Sequence, residues 1–355
     1  MNQSRNIGLD IVRSIAIIFV LACHSTFFLV DVDATFLVYL GVLSVEIFFV
    51  LSGFLIGKSM IGSMVEENSA LSLKKFYLGR CLRTLPLYYL LLIVTTLIKK
   101  QQIPLSCILF IQNFNEVDLN FLPVSWSLSI EEWFYFLVPL FLFFAIKLFS
   151  KRFKKKNIFF VVSIILCVIP FVLRVHSVVS NKLPWDFSVR KQIFLRLDSI
   201  MMGVILAGIK NYATDIYNKI SKSKICLVFS LGGLVLLGIL YSTYLGRGDY
   251  MDKSIFWKIG LFSILPLLSC FLIMYMENSE SINNRLKGKT ISKYIYELSV
   301  LSYGLYLIHW NIFEQVSVHY KGLVALAICV IVSIIISKIV YYLIEIPIMS
   351  LKKNI

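Results

Sequence analysis

Apolar stretches of about twenty residues recur ten times along the 355-residue chain, near 9–30, 36–57, 84–99, 125–149, 158–176, 193–210, 225–245, 255–276, 294–315 and 323–345. A helix of about that length is what crosses the roughly 30 Å hydrocarbon core of a bilayer. Lipid offers nothing to backbone N–H and C=O groups, so such windows must satisfy their hydrogen bonds internally. The expectation is an all-α polytopic membrane protein of about ten transmembrane helices. Composition agrees, with 58% hydrophobic and only 15% charged residues, where soluble domains carry about 25% charged. The stretch "PLSCILFIQNF" (104–114) is too short to span and reads as re-entrant or interfacial. The first window has no small-residue cleavage site behind it, so it reads as a retained signal-anchor.

The net charge of +15 has a cause other than nucleic acid, because Lys and Arg cluster in the segments between windows. With the N-terminus inside, the inner segments hold 22 of these cations and the outer ones 8. That asymmetry puts both termini in the cytoplasm, and an even number of crossings requires termini on one side. The basic run "KRFKKK" (151–156) reads as a topology determinant at a lipid surface. No connecting segment exceeds about 26 residues, so residues 1–355 are expected to form one domain without an appended soluble one. The seven cysteines are scattered singly without metal-ligand spacing, which argues for apolar fillers rather than disulfides or a metal site.

Polar side chains inside these windows need a reason, since one charge at a helix centre costs about 2.5 kcal/mol or more. Arg13 and His24 are eleven residues apart. That is about 20° from a whole number of turns and roughly 16 Å along the axis, so they share a face without touching. Asp10, one turn before Arg13, is placed to pair with it. Aligned with an Arg inside a membrane helix, His24 points to catalysis or transport. Glu46 sits in the second window, where Gly53 and Gly57 form a small-xxx-small face for close helix packing. Arg80 and Arg83, placed in a cytoplasmic loop, make a two-pronged cationic site suited to phosphate. "PVSWSLSIEEWFYFLVPL" (123–140) puts Ser125, Ser129 and Glu132 on one helix row and Ser127 and Glu131 on the next. This hydroxyl-lined acidic stripe, expected at the outer membrane level, suits a polyhydroxyl ligand or a proton. "RLDSIMMG" buries Arg196 and Asp198, which are two apart and need not face each other. Ser302, Tyr306 and His309 form a further stripe at i, i+4 and i+7.

Taken in order, these motifs resemble the acyltransferase 3 family of integral-membrane acyltransferases. The resemblance runs through Arg13-x10-His24, "FFVLSGFLI" (48–56), Arg80-x-x-Arg83, "SWSLSIEEWFY" (125–135), "RLDSIMMG", "SYGLYLIH" and "IEIP" (344–347). It implies ten helices and transfer of an acyl group, usually acetyl from coenzyme A, to a carbohydrate hydroxyl. It makes His24 the catalytic histidine with Arg13 as its motif partner, gives Arg80 and Arg83 to the donor, and marks Glu131 as the more constant carboxylate. The pattern's basic residue near the end is Tyr342 here, in "YYLIEIP", which weakens any role for Glu345. Lacking the extracytoplasmic esterase-like domain of some members, the chain is expected to act alone or with a separate extracytoplasmic transfer partner.

Thioester-to-alcohol transfer needs a base for the hydroxyl proton and stabilisation of an oxyanion. Imidazole suits that task near neutral pH, with Glu131 or Glu132 orienting the acceptor or assisting the base. Arg13 is expected to meet the donor with Arg80 and Arg83, while Glu46, Ser127, Ser129, Asp198, Tyr306 and His309 line the substrate cavity. Donor, glycan or lipid-linked sugar acceptor and membrane lipids are the expected partners at the plasma membrane, with no metal and no nucleic acid. A bulkier donor such as succinyl-CoA fits the same design. The rival reading is a transporter or flippase using His24, the glutamates and Asp198 as a proton relay. Its signature of inverted repeats with broken helices is not found.

Overall fold

The computed structural model describes residues 5–30, 32–115, 117–180, 184–245 and 250–351. Among them there is no strand, and ten helices of sixteen residues or more fall on the ten apolar windows. In chain order they are α1 Ile7–His24, α2 Thr35–Met60, α3 Ala70–Lys99, α4 Ser125–Phe149, α5 Lys155–Ser180, α6 Leu197–Tyr212, α7 Lys224–Leu245, α8 Leu261–Asn278, α9 Thr290–Ser317 and α10 Leu323–Val340. Eight of these segments are long and apolar enough to cross a membrane. The other two are α6, only sixteen residues long, and α9, whose polar side chains dilute a long helix. The basic residues Lys182, Arg247, Lys352 and Lys353 of the charge tally lie outside the described residues. All seven cysteines are free thiols.

The chain forms two compact units, the first made of Met1–Leu51, Ala213–Tyr250 and Ser263–Ser337. Within it, α1 starts because Asn6 caps it, accepting from the Leu9 amide at 3.0 Å, with Asp10 in the first turn facing the helix dipole. Helix α1 then runs against α9, where Ser14 donates to the Ile295 carbonyl at 3.0 Å. Gly8 allows backbone to meet backbone, since a Cβ there would lie 1.8 Å from the Met276 carbonyl oxygen. Helices α2 and α7 are tied by Tyr39, whose hydroxyl donates to the Leu234 carbonyl at 2.6 Å, and α7 and α8 by Ser230 donating to Leu268 at 2.9 Å. Such side chain-to-backbone bonds are how helices associate where lipid removes the hydrophobic drive between them.

The second unit comprises Ser52–Tyr212, Met251–Phe262 and Lys338–Ile355. Its longest helix corrects the sequence reading. Helix α3 begins at Ala70, not near residue 84, because Ser69 and Ser72 cap it reciprocally at 3.0 and 3.1 Å. Arg80 and Arg83, expected in a loop, therefore stand inside a thirty-residue helix.

Gly53 and Gly57 do form a packing face, and α6 is what they receive. A Cβ at Gly53 would sit 1.9 Å from the Ile200 carbonyl oxygen, and one at Gly57 2.8 Å from the Ala207 methyl. Backbone cannot step aside as a flexible side chain does, so Gly53→Ala is expected to cost about 1–3 kcal/mol. Thermal unfolding in detergent reads this, with Gly62→Ala as the control because a Cβ there meets nothing within 4 Å. Equal midpoints for the two variants would show that the α2–α6 contact does not depend on the glycine.

Candidate active site

In the first unit, α1 presents its polar stripe to α9, as the shared face of Arg13 and His24 predicts. Asp10 accepts from Arg5 at 2.7 Å and from the Ser299 hydroxyl at 2.8 Å, and Arg13 donates to the same hydroxyl at 3.2 Å. Asp10 and Arg13 thus belong to one network joined through Ser299. Arg5 also donates to the Ser292 carbonyl, fixing the start of α1 on the start of α9. Neither Arg5 nor Ser299 was singled out from sequence, since only the fold brings them beside Asp10.

His24 ends α1, and its Nδ1 lies 2.8 Å from Nε2 of His309 on α9. His309 Nδ1 is in turn 2.7 Å from the Leu305 carbonyl oxygen one turn earlier. The two imidazoles stack at 4.9 Å between centroids, Trp310 meets His24 edge-on at 5.0 Å, and Phe27 packs against Trp310 at 5.1 Å. His24 is half-buried whereas His309 is sealed, so the partner reaches any substrate through His24 rather than lining an open surface. Tyr306 is half-buried beside Phe48, and Glu46 is fully enclosed.

The second unit holds a separate polar cluster on α3 and α4. Glu131 accepts from Tyr135 at 2.8 Å and from Ser52 at 3.2 Å, and the Arg80 guanidinium lies 4.8 Å over the Tyr135 ring. Arg83 is exposed, and the negative charges of Glu345 and Glu131 both act on it. The arginines expected in a cytoplasmic loop and the glutamates expected at the outer membrane level are thus neighbours in one site. Tyr135 is the residue the sequence reading passed over, although it stands one turn after Glu131 in "EEWFY". Glu345 joins the same cluster despite the altered motif around it.

Three expected lining residues are buried. Ser129 is buried and returns its hydroxyl to the Ser125 carbonyl of its own helix at 3.2 Å. Ser127 is buried as well. Asp198 is ion-paired with Arg174 of α5 at 2.8 Å, entirely out of solvent, which makes it a clasp between α5 and α6 rather than part of a cavity wall. Arg196, two residues away, turns to the Phe262 ring at 3.9 Å, so the two charges of "RLDSIMMG" indeed face different ways. Outside the spans, burial raises the Asp186 carboxyl, but Arg190 and Lys191, each at 2.5 Å, outweigh it and hold the group below its ordinary range. That one carboxylate offsets a single positive charge, so the two cations, both assigned to the outer side, keep a net charge of +1 there.

These motifs can be compared with known proteins. The chain is similar to the O-acetyltransferase OatA of Staphylococcus aureus, strain NCTC 8325 / PS 47, at 28% identity over 96% of its own length. The OatA of strain COL matches to the same extent. In each case the chain spans 57% of the relative's length. No solved structure matches. A family model described as an acyltransferase domain, that of acyltransferase 3, matches residues 6–342, which takes in both histidines, both arginines and the paired glutamates. Nearly its whole length is covered and several of its helices are long and apolar enough to span a bilayer, so the chain is a multi-pass membrane protein that belongs to the acyltransferase 3 family.

Proposed function

We propose that the protein is a membrane O-acyltransferase that moves an acyl group, acetyl in the first instance, from cytoplasmic acyl-CoA to a hydroxyl of a cell-surface or lipid-linked carbohydrate. The observation that carries this reading is the seat of His24, a half-buried imidazole fixed by a second imidazole at 2.8 Å inside a helical membrane protein. The relatives' printed name, O-acetyltransferase, supports the acyl group and the oxygen acceptor. In the reaction the acceptor hydroxyl gives its proton to His24 as its oxygen bonds to the thioester carbonyl carbon. The carbon–sulfur bond then breaks and the sulfur takes up the proton. Arg80 and Arg83 bind the donor's phosphates, Arg83 from its exposed position and Arg80 steadied over Tyr135. Glu131 holds Tyr135 in place and Glu132 faces the same donor site. The chain crosses the plasma membrane ten times with both termini cytoplasmic.

The test is purified protein in lipid given radiolabelled acetyl-CoA and membrane-extracted glycans. Label is expected to appear as an alkali-labile ester on glycan, with free coenzyme A released in step. Solute movement without donor consumption would overturn the proposal in favour of transport. For the donor site, Arg80→Ala with Arg83→Ala is expected to weaken coenzyme A binding by about 10–100-fold, the loss of two charge-assisted contacts in a screened setting. Titration calorimetry in detergent measures it. Unchanged affinity would reduce the pair to structural cations.

A further inference from the structure

We infer that His309 is a positioning residue, holding His24 in the Nδ1–H form so that its Nε2 carries the reactive lone pair. The inference builds on the transferase reading for what that lone pair does, but the protonation pattern stands on geometry alone.

A carbonyl oxygen only accepts, so the 2.7 Å contact to Leu305 requires the proton of His309 to be on Nδ1. A neutral imidazole has one N–H, and His309 Nε2 is then a bare acceptor. It faces His24 Nδ1 at 2.8 Å, a distance that two lone pairs cannot share, so the proton between the rings belongs to His24. What remains on His24 is the unprotonated Nε2. The opposite arrangement requires a doubly protonated His309. That ring is sealed from solvent with Phe313 at 5.5 Å and Tyr306 at 6.3 Å, and an imidazolium placed there costs far more than a neutral ring. Trp310, edge-on at 5.0 Å, restricts rotation of the His24 ring away from this bond.

The relay ends on a neutral carbonyl rather than on a carboxylate, and this has a chemical consequence. A carboxylate behind the histidine would stabilise the imidazolium formed when the hydroxyl proton arrives. A carbonyl orients the ring but offers no counter-charge. A proton taken at Nε2 therefore has no exit through His309, whose own Nδ1–H already points at Leu305. It returns to the departing sulfur, making one nitrogen base and then acid in a single turnover. An acyl-imidazole route would use the same nitrogen, so the role of His309 is common to both.

Two measurements on the full-length protein in lipid test this. In 15N-histidine-labelled protein, with the four histidines assigned by single replacement, His24 is expected to show a protonated Nδ1 and a bare Nε2. His24 found in the Nε2–H form would overturn the inference even if acyl transfer is fully active. Conversely, a protein with the expected tautomer but no transfer would sink the functional reading and leave the inference standing. In the kinetic arm, His309→Leu fills the space without an acceptor and His309→Gln offers an amide oxygen near the place of Nε2. His309→Leu is expected to lower kcat roughly a thousand-fold, approaching the about ten-thousand-fold of a wrong-tautomer histidine elsewhere, with KM for acetyl-CoA within about twofold of the parent. His309→Gln is expected to recover at least about tenfold of the loss. Wild-type kcat in His309→Leu, or a folded His309→Gln as impaired as the leucine variant, would refute it.

Discussion

Replacing His24 with alanine is expected to remove acyl transfer almost completely, lowering kcat by about 10³–10⁴-fold, the range in which a positioned base or nucleophile contributes. Folding should survive the change. His24 sits at the last turn of α1, it is only half-buried, and Ser25 closes the helix after it, its backbone N–H donating to the Leu21 carbonyl and its hydroxyl to the Ala22 carbonyl at 2.7 Å. The contacts that fix α1 on α9, through Asp10, Arg13, Ser14 and Ser299, lie turns away and remain. Rate and stability are thus expected to separate, with thermal unfolding in detergent close to wild type while consumption of radiolabelled acetyl-CoA falls to background. Cys23→Ala gives the contrasting control. Its sulfur is directed at α2, where a Cβ on Gly41 would lie 2.4 Å from it, about 100° around the helix from the imidazole. Removing that thiol should leave the rate near the parent value. A His24→Ala protein that keeps more than about a tenth of the rate would exclude the imidazole from proton transfer, since a lost general base costs at least about a hundredfold.

The helices were legible because length and apolarity alone decide what can sit in lipid, and α4 and α7 begin and end within a residue of their windows. Helical spacing likewise put Arg13 and His24 on one face and Gly53 and Gly57 on another, because both depend only on the local 3.6-residue period. Two kinds of information were out of reach. Spacing names a face but not what fills it: His24 meets a histidine 285 residues later, and Asp198 an arginine 24 residues earlier. The same limit hid that Ser129, presumed to line a cavity, is buried and bonded to its own helix. The second loss came from treating cations as loop markers. Arg80 and Arg83 were placed in a cytoplasmic loop, so the Ser69–Ser72 cap that starts α3 went unused and the α3 arginines were separated from the α4 glutamates they adjoin.

Arg174 and Asp198 make the largest stability prediction. Two guanidinium nitrogens reach the two carboxylate oxygens at 2.8 and 3.1 Å, and one also donates to the Leu195 carbonyl at 2.7 Å. Arg174 has 0% and Asp198 1% of its surface exposed, so water can substitute for neither partner. Removing one member of such a pair strands a buried charge, at about 3–5 kcal/mol. The two deletions should not be equal, however. A stranded carboxyl group can neutralise itself by binding a proton, whereas a guanidinium stays charged at any working pH. Asp198→Ala is therefore expected to unfold earlier than Arg174→Met, and the double variant Arg174→Met with Asp198→Leu to return close to wild type, as apolar replacement of buried pairs often does. In a background that keeps Cys167 and replaces the other six cysteines, a thiol-reactive dye reports the transition, because Cys167 lies beside the clasp, 3.8 Å from the Asp198 carbonyl oxygen. Equal midpoints for the two single variants, or a double variant worse than both, would mean that charge burial is not what this pair contributes and that the loss is one of shape alone.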